Sequence, residues 1–144
     1  MVGVVLATHG ALGEALIAAM EMIAGAQPRV AALSLQVTDR IEDAAARLQT
    51  TVAGVDEGDG VLVLTDMLGG TPSNICLALL GGARPVEVVS GASLPMLLKS
   101  VQARREAGLG ETAAQVKKVG RAAIIVASEV LAGPAAPGAA GTRA

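Results

Sequence analysis

The segment VGVVLATHGALGEALIAAMEMI, residues 2–23, contains the two patterns that decide the fold. Residues 2–7 are a continuous apolar run rich in β-branched side chains, which is typical of a parallel strand buried on both faces. After Thr8, His9 and Gly10 the apolar residues recur at helical spacing, so we expect a helix that ends near Gly25. Its expected inner face consists of Leu12, Ala15, Leu16, Ala19, Met20 and Ile23.

The alternation of strand and helix continues along the chain. Further strands are predicted at residues 30–35, 61–64, 85–89 and 122–127. Between them we expect a helix capped by Thr38 or Asp39, one beginning at Thr71 and Pro72, one capped by Ser93 and one over residues 112–119, with a short continuation at 128–131. The expected inner faces are Ile41, Ala44, Ala45, Leu48 and Val52 in the first of these helices and Leu94, Leu97, Leu98 and Val101 in the third.

This order of elements predicts an α/β protein with a doubly wound, mainly parallel sheet and right-handed crossovers. We expect one domain over residues 1–132 and a disordered tail over 133–144, where nearly every residue is Gly, Pro or Ala. With the strand order 2-1-3-4, the first and third strands are neighbours. Ligands of such sheets bind beyond the carboxyl ends of the strands, where the winding reverses.

Two strand ends at that point carry reactive side chains. His9 follows the first strand and Asp66 follows the third, so the strand order above brings them within side-chain reach. A carboxylate that holds one imidazole nitrogen leaves the other free to attack. Asp66 is therefore expected to orient the ring and His9 to act as the nucleophile. The structural alternative is that His9 is an ordinary surface residue and Asp66 a helix cap.

The loop after Asp66 is suited to binding an anion. Gly69 and Gly70 allow close approach of the backbone, and Thr71 and Pro72 are residue types that begin helices. Free amides at a helix amino terminus bind phosphate, so Gly69, Gly70 and Thr71 are the candidate phosphate-binding residues. A Gly-Gly turn into a capped helix is also common as a purely structural motif.

The composition argues against several classes of function. A net charge of -2 and a pI near 5.3 lack the basic excess of nucleic-acid-binding proteins, and no aromatic residue is present to stack on a base or a flavin. One histidine and one cysteine, Cys76, provide no zinc site and no internal disulfide, and the Walker motif is missing. We therefore expect no metal and no cofactor, and Cys76 as a core residue.

No apolar run approaches the ~20 residues of a membrane span, and no signal peptide is evident, so we expect a cytoplasmic protein without membrane insertion.

Three motifs together resemble the mannose-family IIA component of the phosphotransferase system (PTS). They are THG at residues 8–10, TDMLGGTPSN at 65–74 and SGASLPMLLK at 90–99. The resemblance covers the chain from Met1 to about Leu131. Ser93 stands where that family often has Asn, and Leu68 where some members have Trp, so partner contacts are expected to differ there.

The resemblance implies phosphoryl transfer on His9. In the family the histidine is phosphorylated on Nε2, the aspartate binds Nδ1, and the glycine loop surrounds the phosphate, which assigns these roles to His9, Asp66 and residues 69–71. It further implies a donor, the histidine phosphocarrier protein (HPr), an acceptor histidine on a IIB protein or domain, and a homodimer. The last strand of the family is antiparallel and exchanged between subunits, a role that would fall to residues 122–127.

Two other functions share these features. One is a regulatory module whose phosphorylation on His9 controls partner binding, and the other is the phosphotransfer subunit of a dihydroxyacetone kinase, against which the GGTPSN loop argues. Because no IIB domain follows in this sequence, we expect a free-standing IIA protein. The sugar is not readable from the sequence, since in the family it never touches this component.

Overall fold

The structure is a computed structural model that describes residues 1–67 and 71–133. Its strands are β1 (Gly3–His9), β2 (Val30–Leu35), β3 (Val61–Thr65) and β4 (Val86–Ser90). Its helices are α1 (Leu12–Ala24), α2 (Ile41–Val55), α3 (Thr71–Leu77), α4 (Leu94–Ala103), α5 (Leu109–Ala122) and α6 (Ala127–Leu131). The predicted tail, apart from Gly133, and the predicted loop residues Gly69 and Gly70 lie outside the described residues.

The strands form one parallel sheet in the order β2-β1-β3-β4, which confirms the predicted topology. His9 is in register with Leu35 on β2, and Ala7 is in register with Thr65 on β3. The carboxyl ends of β1 and β3 are therefore adjacent. Because the chain leaves β1 towards β2 and then crosses to β3 on the other side, the winding reverses between these two strand ends.

Helices cover both faces of the sheet, which explains why the strands are almost entirely apolar. On one face α2 and α3 pack against the sheet through Leu48, Val52, Ile75 and Cys76. On the other face α1, α4 and α5 pack through Met20, Leu97, Val101 and Val116. The two cores together make a three-layer α/β/α arrangement.

Four apolar residues that the sequence placed on inner helical faces are exposed. Leu12 and Ile41 are the first residues of α1 and α2, Ala15 lies in the first turn of α1, and Ile23 lies in its last turn. At helix ends the side chains project beyond the edges of the sheet, so helical periodicity alone overestimates their burial. The core positions nearer the middle of the same helices, Met20 and Leu48, are buried as predicted.

The helix caps agree with the sequence in one case and differ in another. Ser93 Oγ accepts a hydrogen bond from Met96 N at 3.4 Å, as expected of an N-cap. The cap position of α2 is instead Arg40, without a side-chain hydrogen bond, because Asp39 accepts from Gln36 N within the preceding turn. The predicted cap of α2 by Thr38 or Asp39 was therefore wrong.

The predicted fifth strand is absent from the described part of this single chain. α5 extends to Ala122, and α6 begins at Ala127, so the four residues 123–126 between them form neither helix nor strand. A strand exists only when it pairs with another strand, and within the chain this short segment pairs with none of the four. Its residues Ile124, Ile125 and Val126 are exposed.

Candidate functional site

His9 is the last residue of β1 and lies where the winding reverses. Its side chain is 46% exposed, so the ring is accessible to a reactant. Gly10 turns the chain towards α1 with a φ of 53°, a left-handed conformation that favours glycine, and its amide donates to Leu35 O at 2.8 Å. The backbone on both sides of His9 is thus fixed by the sheet and by this turn.

Asp66 contacts His9 through one carboxylate oxygen. Nδ1 of His9 is 2.9 Å from Asp66 Oδ2, and the backbone amide of His9 donates to the same oxygen at 3.0 Å. Because an ionised carboxylate only accepts hydrogen bonds, Nδ1 carries the proton and Nε2 of the neutral ring is left with a free lone pair. The structure therefore brings together the two residues that the sequence selected, and orients the ring with Nε2 away from the carboxylate.

The remaining contacts of Asp66 favour its ionised form. Oδ1 accepts from Met67 N at 3.0 Å, and the side chain is largely buried. Burial raises the pKa of Asp66, but the hydrogen bonds from the backbone and ring of His9 outweigh it, so the pKa lies below its ordinary value of 3.8. A negative charge therefore faces Nδ1 at neutral pH.

Thr8 supports the site in a way that the sequence analysis missed. Its buried Oγ1 accepts from Gly13 N at 2.8 Å, whereas Ala11 at the cap position of α1 makes no side-chain hydrogen bond. Thr8 thus takes the role of an N-cap from within β1 and joins the end of this strand to α1. The threonine just before His9 was the only signal of this contact in the sequence. A strand residue that caps the following helix has no regular sequence spacing from it, so the contact could not be predicted.

The predicted phosphate-binding residues are only partly described. Thr71 is the first residue of α3 and is exposed, while Gly69 and Gly70 lie outside the described residues. Cys76, later in α3, is fully buried, and burial raises its pKa to about 12, so it is a core residue as expected.

The described residues contain neither a candidate metal site nor a candidate membrane span. No group of three or more His, Cys, Asp and Glu side chains is placed to hold a metal ion in residues 1–67 and 71–133. Within the same ranges, no helix has both the length and the apolar character that crossing a bilayer requires.

Comparison with known proteins supplies the family. The family model EIIA-man, described as "PTS system fructose IIA component", matches residues 3–117. The chain belongs to the EIIA-man family. It is accordingly a member of the IIA components of phosphotransferase systems, and the matched range includes His9, Asp66 and Thr71.

Two curated relatives are similar in sequence. The PTS system mannose-specific EIIAB component of Escherichia coli (strain K12) is 30% identical over 103 residues, which are 72% of this chain and 32% of that protein. The chain therefore spans about a third of the length of that relative. The PTS system fructose-specific EIIA component of Bacillus subtilis (strain 168) is 25% identical over 131 residues, 91% of this chain and 90% of that protein.

Solved structures of phosphotransferase-system IIA proteins share the fold. The phosphotransferase system component EIIA from Streptococcus agalactiae has a TM-score of 0.83 at 27% identity, covering 90% of this chain and 99% of that one. The mannose/sorbose specific IIA subunit from Enterococcus faecalis has a TM-score of 0.79 at 27% identity, covering 87% and 93%. The α/β sheet with the order 2-1-3-4 is thus the fold of the family.

Proposed function

We propose that this chain is a phosphohistidine carrier in sugar transport by a phosphotransferase system. His9 accepts a phosphoryl group from the histidine phosphocarrier protein (HPr) and passes it to a histidine of a IIB protein or domain. The observation that carries the proposal is the 2.9 Å contact between Nδ1 of His9 and Asp66 Oδ2. This contact selects Nε2 as the nucleophile and supplies a countercharge for the ring.

Two side chains of this chain, His9 and Asp66, take part in the bond-making step itself. The Nε2 lone pair forms a bond to phosphorus while the bond between phosphorus and the donor imidazole nitrogen breaks, and the electron pair of that bond returns to the donor ring. His9 keeps its Nδ1 proton and becomes a positively charged phosphoimidazolium. Asp66 stabilises that charge. Transfer to the IIB histidine is the same step with the roles exchanged.

The phosphoryl group is proposed to be held by amides at the same edge of the sheet. In a parallel α/β fold each helix that follows a strand begins at the carboxyl edge, so the partly positive amino termini of α1 and α3 both face this region. Gly69, Gly70 and Thr71 precede or begin α3, and their amides and the Thr71 hydroxyl are the proposed phosphate ligands. No metal ion or other cofactor takes part in this proposal.

Label transfer from the phosphorylated carrier protein tests the proposal. Wild type incubated with radiolabelled phospho-carrier is expected to gain one phosphoryl group that is labile in acid and stable in base. His9→Ala is expected to gain none, because the chain has no second histidine. The proposal fails if wild type stays unlabelled, or if the label resides on another residue.

We further propose that the chain functions in the cytoplasm as a homodimer. The open edge of β4 and the face of α5 line a groove of about 730 Å³ that includes Met96, Gly120 and Ile124. Ile124 is exposed at this groove, and Ile125 and Val126, which follow it in the chain, are exposed as well. Exchange of residues 122–127 between two copies would pair this segment with β4 of the other copy and bury both apolar surfaces.

A further inference from the structure

The outer face of α5 carries three positive charges near its carboxyl end. Lys117, Lys118 and Arg121 are exposed and, together with Ala114 and Ala122, line a shallow concavity of about 490 Å³. These five residues are here called the basic face. Within residues 1–67 and 71–133, no acidic side chain lines this concavity.

The three cations of the basic face are not neutralised by ion pairs. Among the residues that the structure describes, no carboxylate lies within 4.0 Å of Lys117, Lys118 or Arg121. Glu87 borders the groove beside β4 together with Lys117 and Arg121, but it forms no pair with them at this distance. Four arginines elsewhere in the described chain do pair with carboxylates. The basic face therefore presents its full charge to the solvent.

Folding of α5 does not account for this cluster. Lys117 and Arg121 are four residues apart, and like charges at this spacing destabilise a helix. The helix dipole favours a cation in the last turn, which is Arg121, but the effect fades beyond that turn and does not explain Lys117 and Lys118. A cluster of one sign that the helix does not need indicates a surface that binds negative charge.

The side chains between the cations indicate which kind of anion fits. Ala114 and Ala122 are small, so an extended flat surface can approach all three cations together. They provide no large apolar anchor of the kind that dominates protein–protein interfaces, in which lysine is also depleted. Binding of single-stranded nucleic acid relies on aromatic stacking, and the chain has no aromatic residue. A bilayer surface with anionic lipids attracts clustered Lys and Arg without a fixed pocket.

The net charge of the chain does not oppose such binding, because the charges are separated in the fold. Residues 1–66 contain nine acidic and three basic residues, a net charge of -6, whereas residues 67–133 contain four acidic and seven basic residues, a net charge of +3. α5 packs against β4, at the opposite edge of the sheet from β2. β2 lies three strand spacings of about 4.8 Å from β4, more than the Debye length of about 10 Å at 0.1 M salt.

We propose that the basic face docks this protein on a membrane surface through the phosphate groups of anionic phospholipids. Lys117, Lys118 and Arg121 contact the headgroups, and no part of the chain enters the hydrocarbon. Docking goes beyond the proposed function, because phosphoryl transfer on His9 does not require it. It would concentrate a carrier that serves sugar transport at the membrane, where transport occurs.

Co-sedimentation with lipid vesicles tests the docking surface. Wild type, Lys118→Glu and the triple variant Lys117→Gln/Lys118→Gln/Arg121→Gln are compared at about 0.1 M salt. The vesicles contain phosphatidylcholine alone or equal parts of phosphatidylcholine and phosphatidylglycerol. Wild type should bind only the anionic vesicles, and binding should weaken as salt is added. Each removed cation should lower the partition coefficient about fivefold, so the triple variant should lose about 10²-fold.

Arg40→Glu is the matched control for the change in charge. It alters the net charge by the same amount as Lys118→Glu, but Arg40 precedes α2 on the other face of the sheet and lies 3.9 Å from Glu42. Its partition coefficient should equal that of wild type. Lys118 does not line the groove between β4 and α5, so Lys118→Glu also leaves the proposed exchange of residues 122–127 unaffected. Labelling of His9 in solution should be unchanged in every variant, which shows that the variants fold.

The other outcomes overturn the docking surface. Wild type that binds neither kind of vesicle, or both equally, excludes docking through anionic lipid. Equal losses in Lys118→Glu and Arg40→Glu would show that net charge, and not the basic face, determines binding. Undiminished binding of the triple variant would assign the contact to another surface. Polyglutamate or RNA that binds the basic face while vesicles do not would assign it to a protein or a nucleic acid. None of these results bears on the proposed function, which is tested separately by the label on His9.

Discussion

Asp66 combines three hydrogen bonds with a full negative charge, and the importance of the charge to the chemistry can be tested by one substitution. In Asp66→Asn the amide oxygen can still accept from the His9 amide and ring, so the contact with His9 is retained, while the charge and the hydrogen bond from Met67 N are lost. We expect phosphoryl transfer to slow by about 10²-fold or more, the order of loss seen when the residue orienting a catalytic imidazole is neutralised. Rapid-quench measurement of label on His9 would check this.

The matched control is Asp56, another carboxylate whose pKa is lowered. Gly58 N donates to Asp56 Oδ1, and Arg84 pairs with Oδ2, at the end of α2 and thus towards the opposite edge of the sheet from His9. Asp56→Asn should keep the wild-type transfer rate. Equal rates for Asp66→Asn and wild type would show that the charge of Asp66 has no part in the chemistry.

The same substitution has a signature in the pH dependence of stability. The folded-state pKa of Asp66 is below 3.8, so its pairing stabilises the fold above that pH, and this contribution is lost as the pH falls through the folded-state value. The free energy of unfolding should therefore decrease more steeply below pH 3.8 in wild type than in Asp66→Asn.

The sequence was informative about these residues because both follow apolar strands directly. Such strands have recognisable ends, and the parallel order places the ends of neighbours together, so the proximity of His9 and Asp66 followed from topology. The second bond, from the His9 amide to Asp66, could not be foreseen, because it depends on the turn at Gly10.

At the scale of the elements, Thr8 and Thr65 form a natural comparison. Both are buried threonines near the carboxyl ends of neighbouring strands, but Thr8 Oγ1 accepts from Gly13 N, whereas Thr65 Oγ1 has no hydrogen-bond partner among the described residues. Thr8→Val should lower the free energy of unfolding by about 1–3 kcal/mol, because it leaves a buried amide unsatisfied. Thr65→Val should be neutral or stabilising. Denaturant unfolding of both variants checks the pair, and equal destabilisation would contradict it.

Element positions were predictable where packing and local pattern agree. The bounds of β2 were correct to the residue because an apolar run lies between Pro28-Arg29 and a polar turn. α5 was predicted too short, because Gly110 and Gly120 discourage a helix at its two ends. Gly120 is explained by tertiary packing, since a Cβ there would approach Met96 Sδ to 2.8 Å. Single-sequence periodicity contains no information about such a contact.

At the scale of the whole molecule, the segment at residues 122–127 is the clearest case in which sequence and single-chain structure differ. Its apolar, β-branched pattern predicted a strand, but in the described part of the chain this segment pairs with none of the four strands, although the edge of β4 is open. A pattern can specify a propensity to pair, but not which chain provides the partner. The exposed apolar residues and the open β4 edge are therefore best explained together.

The proposed exchange of this segment predicts that dimerisation depends on Ile124 and Ile125. Neighbouring residues of a strand face opposite sides of a sheet, so the double variant Ile124→Asp/Ile125→Asp places a charge on both faces. Burying an isoleucine contributes about 1.5–3 kcal/mol, and two-fold symmetry repeats every contact, so the dimer dissociation constant should rise by at least about 10²-fold. Sedimentation equilibrium of wild type and variant measures this constant.

The control variant Met22→Asp/Ile23→Asp, which changes an adjacent exposed apolar pair on α1, should leave the dimer dissociation constant unchanged. Wild type that sediments as a monomer would exclude the exchange. Equal weakening by both double variants would also exclude it, because removing exposed apolar side chains anywhere on the surface would then have the same effect.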